Sequence, residues 1–374
     1  MNAARALLPW VFGVLAACGA GAASTKPGKV GSAAPEGSTE PVPPPVQTEI
    51  RVQGNHLVDH GRVVRLLGVN HSGTEYACAQ GYGIFEGPQG DELVGPIVDW
   101  RANAIRIPLN ESCWLDSGGA DPRFSGGTYR DAIAGFVRGL RASGLYVIVE
   151  LHFTAPGTTL ATGQQPMADA DHAIDFWRSV ASRFADDLGV LFDLFNEPFF
   201  VTEDSWGCLR DGCVVSGQNG VAAYRTAGTQ AMVDAIRGTG ARNVVLVPGL
   251  SYTSDLSGWL AHAPHDPLKQ IAASLHLYNF TRCEGQACFS ARYDAIAAAV
   301  PLITGELGED DCGHGFIDDY MRWADARGVS YLGWTWNTWD CSKGPALIRS
   351  YDGTPTPFGQ GLRDHLVELA ASAR

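Results

Sequence analysis

The chain has 374 residues and is acidic, with 27 lysines and arginines against 40 aspartates and glutamates and a formal net charge of -13. That balance excludes a nucleic-acid partner, because phosphate binding needs clustered Lys and Arg, and it suits a neutral polymer. Hydrophobic residues make up 45% of the chain, enough for one large domain.

Residues 1–17 carry Arg5 and a short apolar run, 6–17, just ahead of Cys18. A run of that length is far below the roughly 20 residues of a spanning helix, so it reads as a cleaved signal peptide. The segment Leu15-Ala16-Ala17-Cys18-Gly19 resembles a bacterial lipobox, which implies cleavage before Cys18 and lipid on its thiol; an ordinary signal followed by a stray cysteine is the competing reading. Residues 18–48 are mostly Gly, Ala, Ser and Pro and end in Pro41-Val42-Pro43-Pro44-Pro45. Such a segment buries too little apolar surface to offset its ordering entropy, so it is expected to be a tether that stiffens towards its proline end. The expectation is an exported protein held at the cell surface or in the periplasm, touching the membrane only through its anchor. The remainder, 49–374, has no second linker and reads as one monomeric domain.

Before the first long apolar run, residues 50–61 read as a β-hairpin that plugs the bottom of the domain. Eight apolar runs then read as buried strands: 64–69, 104–109, 146–151, 190–195, 244–248, 272–277, 301–305 and 331–335. Amphipathic stretches lie between them, at 129–142, 172–185, 221–237, 290–299 and 315–327. This alternation implies right-handed βαβ crossovers closing into a (β/α)8 barrel of the α/β class.

Nine cysteines are present. With Cys18 assigned to lipid, an even set remains: Cys78, Cys113, Cys208, Cys213, Cys283, Cys288, Cys312 and Cys341. Spacing does not determine the pairing of such a set, but Cys208 with Cys213 and Cys283 with Cys288 are close enough to close small loops. Pairing Cys78 with Cys113 and Cys312 with Cys341 completes the expected scheme. Zinc is the alternative, disfavoured because no CxxC spacing occurs in an exported chain.

The ends of the strands carry the chemistry. Reading off each C-terminal end gives Asn70-His71, Arg106, His152, Asn196-Glu197, His276 with Tyr278, Glu306, and Trp334 with Trp336. Barrel enzymes keep their catalytic groups at these ends, whereas core layers would place Val, Ile and Leu there. Glu150 and Asp193 stand inside strands, short of the catalytic end.

These residues resemble glycoside hydrolase family 5, the cellulase family. Leu194-Phe195-Asn196-Glu197-Pro198 is similar to the family's Asn-Glu-Pro signature on the fourth strand, and Ile303-Thr304-Gly305-Glu306-Leu307-Gly308 to its seventh-strand segment. The resemblance implies Glu197 as acid/base and Glu306 as nucleophile. It also implies substrate-binding roles for Arg106, His152, Asn196, His276, Tyr278 and Trp336, with Trp336 as sugar platform and Trp334 close by. Arg106, His276 and Tyr278 would surround Glu306 with donors and keep it ionised, and Asn196 would bond the sugar 2-hydroxyl. Trp114, Trp206, Trp259 and Trp339 are expected near the catalytic side, where sugar faces stack on aromatic rings; Trp177 and Trp323, inside amphipathic stretches, are expected in the core.

The implied activity is a retaining, endo-acting hydrolase of β-1,4-linked polysaccharide, foremost an endoglucanase, working without cofactor or metal. A β-mannanase, a xyloglucanase or another β-glycosidase of the family is the alternative. Two rival classes stand further off. A non-catalytic glycan-binding lipoprotein would have no use for both glutamates. A metal-dependent hydrolase could use His152, Glu197, His276 and Glu306 as ligands but lacks an early His-x-His.

Overall fold

The computed structural model describes residues 48–372. The signal peptide read at 1–17, Cys18, and all but the last residue of the tether read at 18–48 lie outside the described residues.

The described chain opens with an antiparallel meander of β1 (Ile50–Gln53), β2 (His56–Asp59) and β3 (Arg62–Val64). Only a two-stranded hairpin was expected. The third strand is made because His60 and Gly61 both take positive φ, 47° and 77°, the geometry of a two-residue turn that matches strand twist. It consumes the start of the run at 64–69, so the first barrel strand begins later.

Eight strands among the described residues close a parallel barrel. They are β4 (Leu67–Asn70), β5 (Ala104–Asn110), β6 (Tyr146–Phe153) and β7 (Val190–Asp193), then, after a small ribbon of β8 (Val214–Val215) and β9 (Tyr224–Arg225), β10 (Val245–Val247), β11 (Ile271–Tyr278), β12 (Leu302–Gly308) and β13 (Ser330–Gly333). β13 pairs back onto β4 and completes the ring. Every residue of β5 and β12 is buried, as expected of parallel strands covered on both faces. The helices Gly126–Ala142, Ala173–Phe184, Thr229–Gly238, Gly285–Ala299 and Gly315–Asp325 match the amphipathic stretches. The stretch at 221–237 turns helical only at Thr229, because its beginning supplies β9.

The meander stoppers the bottom. Ile50, Leu57 and Leu66 pack with Ala104, Ile148, Leu191, Leu246, Ala272, Ile303 and Leu332 of the barrel strands. Burying each large apolar side chain there contributes roughly 1.5–3 kcal/mol. Four disulfides among the described residues follow the expected scheme: Cys78–Cys113, Cys208–Cys213, Cys283–Cys288 and Cys312–Cys341.

Candidate active site

The strand ends depart from regular pairing where the site is built. Between β11 and β12 the register jumps, with Leu275 opposite Thr304 and His276 opposite Glu306, so Gly305 is the extra residue of a bulge. Such bulges re-aim side chains. A Cβ at Gly305 would stand 3.2 Å from His276 Nε2 and 3.4 Å from Arg106 Nε, so glycine lets both side chains approach the strand.

Arg106 is fully buried and organises the floor of the mouth. Its Nε donates to Asp193 Oδ2 at 3.1 Å, Nη1 to Asn70 Oδ1 at 3.1 Å and to Glu306 Oε1 at 2.9 Å, and Nη2 to Asn196 Oδ1 at 3.0 Å. Glu150 Oε1 lies 3.6 Å from the same guanidinium. One cation among three buried carboxylates leaves an excess of negative charge that protons must offset. Burial, opposed by the attraction of Arg106, pushes Glu150 up to about 8 and Asp193 to about 7. The two in-strand carboxylates are thus the inner support of the site.

Glu306 and Glu197 face one another. Glu306 accepts a second hydrogen bond from the Tyr278 hydroxyl at 2.5 Å. His276 Nδ1 bridges the pair, 2.9 Å from Glu197 Oε1 and 3.5 Å from Glu306 Oε2. Burial drives His276 down to about 3, so its role is that of a neutral hydrogen-bonding ring. Carboxylate oxygens of the two glutamates lie within 4.8 Å of each other. Burial raises the pKa of Glu197 above the ordinary glutamate value, in opposition to donation from Gln164. Asn196 Nδ2 is buried without a protein partner, a donor left for another molecule.

His152 Nδ1 meets Glu150 Oε1 at 2.5 Å, and burial pushes the imidazole down to about 4. Its ring stacks on Trp334, with centroids 5.6 Å apart and planes 18° from parallel. This corrects the platform assignment. Trp336 is 1% exposed and packs edge-on against Trp100 at 4.7 Å. Its backbone N–H bonds Asn70 O, and Leu347 N–H bonds Thr335 O; the chain past Gly333 is stitched to neighbouring segments, and strand alternation no longer sets side-chain direction there. Trp334 is half-buried at the mouth.

Two further tryptophans also leave the substrate set. Trp114 is fully buried, its Nε1 donating to Ser179 Oγ at 3.0 Å, and Trp259 is 2% exposed with its Nε1 on Val247 O. Both belong to the core, as do Trp177 and Trp323. Trp206 and Trp339 remain half-buried. Gln164 was missed altogether: its Nε2 donates to Glu197 Oε2 at 2.8 Å, and it sits in a loop without periodicity or motif.

Among the described residues, two groups have metal-ligand spacing: Glu197 with His276 and Glu306, and Glu111 with Asp169 and His172. In the first, Arg106 already supplies the cation beside Glu306. In the second, His172 Nδ1 is 3.2 Å from Ala155 O, which a ring N–H satisfies and a ligating lone pair would not. Both donor sets suit protons better than a metal ion.

The match to a family model described as cellulase (glycosyl hydrolase family 5) spans residues 61–340. A mannan endo-1,4-β-mannosidase of Streptomyces lividans is 25% identical over 78% of this chain and 68% of its own length. An endoglucanase of a Microbulbifer species is 23% identical over 79% of this chain; the chain spans 54% of that relative's length. Among solved structures, a β-glucanase from Saccharophagus degradans superposes with a TM-score of 0.65 at 21% identity, covering 87% of this chain and 94% of its own. It has also been solved with cellotetraose.

Proposed function

The chain belongs to glycoside hydrolase family 5, the cellulase family, and from that premise we propose that it is a retaining endo-β-1,4-glucanase with Glu197 as acid/base and Glu306 as nucleophile. The carrying observation is the facing pair: two carboxylates with one oxygen of each within 4.8 Å of the other, which suits the about 5–5.5 Å separation associated with retention better than the wider gap of an inverting enzyme. Their surroundings divide the roles. Glu306 is held by Arg106 and Tyr278 as an acceptor poised to attack the anomeric carbon. Glu197 is pushed by burial towards its protonated form, ready to give its proton to the leaving oxygen.

In the first step the C1–oxygen bond breaks as Glu197 protonates the leaving group and Glu306 forms an ester to C1. In the second, water loses a proton to Glu197 and adds to C1, and Glu306 departs as carboxylate. Asn196 Nδ2, the buried donor without a partner, is placed for the sugar 2-hydroxyl, and Trp334, stacked on His152, supplies the flat face beneath the ring.

Glu197→Ala is expected to form a glycosyl-enzyme from an aryl glycoside with a good leaving group, to stall there, and to be rescued by azide with retained configuration. Glu306→Ala is expected to give the inverted glycosyl azide. NMR of the azide products reads both, and the reverse assignment would defeat the mechanism.

A mannan is the second substrate reading, because the Streptomyces relative carries that name. Reducing-end release from carboxymethylcellulose, mannan and xyloglucan side by side decides between them. We also propose that Cys18 is lipidated and anchors the exported enzyme at the cell surface or in the periplasm, on the strength of Leu15-Ala16-Ala17-Cys18-Gly19. Cys18→Ser should move the protein out of the membrane fraction or leave an uncleaved precursor, and absence of lipid label on the wild type would end the idea.

A further inference from the structure

Glu197 must be an acid in one step and a base in the next, and burial favours the acid. Its Oε1 is met by His276 Nδ1, and its Oε2 by the amide of Gln164 at 2.8 Å. An amide nitrogen can only donate, and such a bond is stronger to a carboxylate than to a carboxylic acid. The other titratable and charged groups facing Glu197 come from every side of the mouth: Arg106 on β5, Glu150 and His152 on β6, Tyr252 after β10, Tyr278 on β11 and Glu306 on β12. Arg106 spends its donors on Asp193, Asn70, Glu306 and Asn196, and His276 is shared between the two glutamates. Gln164 is the donor directed to Glu197 and not to Glu306.

The amide is delivered by a pinned backbone. Before it, Asn110 Nδ2 donates to Ala161 O at 2.8 Å and Ala161 N to Ser112 Oγ at 3.0 Å. After it, Gln165 and Gln218 exchange two bonds, at 3.0 and 3.2 Å, and Phe199 N–H donates to Pro166 O at 3.0 Å, next to the acid/base strand end. At the root of the loop the Thr154 hydroxyl touches both Glu111 and Asp169, and Asp169 Oδ1 accepts the N–H groups of Asp171 and His172. Little conformational entropy is then left to lose when the amide engages.

We propose that Gln164 is a positioning residue that stabilises the ionised state of Glu197 and so keeps it competent as the base of the second step. The proposal rests on the reading of Glu197 as acid/base. Once the first step has removed the proton, the Gln164 N–H orients the resulting anion while its other oxygen takes the proton of the incoming water.

The test compares wild type with Gln164→Leu and the nearly isosteric Gln164→Glu, which keeps the volume and replaces the donor by an acceptor. Phenyl β-cellobioside is used as a probe of the first step, and 2,4-dinitrophenyl β-cellobioside as a probe limited by the second. In both variants the alkaline limb of kcat/KM for the phenyl glycoside should move up by roughly 0.5–1 pH unit, further in Gln164→Glu. The acid limb of kcat for the dinitrophenyl glycoside should move up with it, lowering that kcat about three- to tenfold on the acid side. Limbs that stay in place in both variants, with activity reduced equally at all pH values or not at all, overturn the proposal. Azide rescue of Glu197→Ala is run alongside: if it fails to retain configuration, the acid/base reading falls and this inference with it; if it succeeds while the limbs stay fixed, this inference falls alone.

Discussion

Trp334 and Trp336 stand two residues apart and serve different ends. Trp334 lies on His152 at the mouth, whereas Trp336 fills the space against Trp100. Trp334→Ala should leave unfolding by denaturant nearly unchanged and reduce kcat/KM about tenfold or more, the scale of a lost stacking contact. Trp336→Ala empties a buried site and should cost about 3–5 kcal/mol of stability. Denaturation curves beside steady-state kinetics separate them; a catalytic loss confined to Trp336→Ala would restore the original platform assignment. Arg106 repeats the lesson: its size and charge within an apolar run mark it in the chain, although it lies inside β5 and not at its end, and its three carboxylate neighbours come from β6, β7 and β12.

At the scale of elements, the barrel's rigid strands present a set of loops, and disulfides constrain them unequally. Cys78–Cys113 spans a sequence separation of 35 and ties the loop after β4 to the end of β5, while Cys208–Cys213 spans 5. Because closing a longer loop removes more unfolded-state entropy, replacing the first pair by serines should cost about 2–4 kcal/mol and replacing the second clearly less. Calorimetry of the two double variants checks the order, and equal losses would show that native-state packing, not loop entropy, dominates. The loop after β6, rooted by Thr154, Glu111 and Asp169, is held without a disulfide by buried polar contacts.

For the whole molecule, buried ionisable groups set how stability follows pH. Burial holds protons on Asp193 to about 7 and Glu150 to about 8, whereas their unfolded counterparts release them near 3.8 and 4.5. Between those limits the folded state binds more protons, so stability falls as pH rises. Buried His71 and His152, held down to about 4, and His276, held down to about 3, oppose this below their ordinary 6.5, where the unfolded chain binds the extra protons. From about pH 7 to 8 the histidines are mostly neutral in both states, so the carboxylates dominate. The melting temperature should therefore decline across that window, and less steeply in Glu150→Gln. A flat profile there would mean that the carboxylates around Arg106 are ionised throughout.

The fold, and the pair of glutamates proposed as catalytic, were legible in the chain because both depend on local pattern. Parallel strands buried on two faces must be continuous apolar runs, and polar residues closing such a run, such as Asn196-Glu197 after Phe195 or Glu306 after Gly305, stand out. The even cysteine set likewise needed no coordinates. What tertiary structure alone decided depends on contacts between segments far apart in the chain: Gln164 reaching Glu197 across 33 positions, Arg106 reaching Glu306 across 200, and the seating of Trp114, Trp259 and Trp336 in the core. Hydrophobic periodicity places a residue on an element, but it cannot aim a side chain where the element has ended. In this protein the site is built at and just inside the ends of the strands, so the sequence pointed to the carboxylates proposed to react and the fold chose what surrounds them.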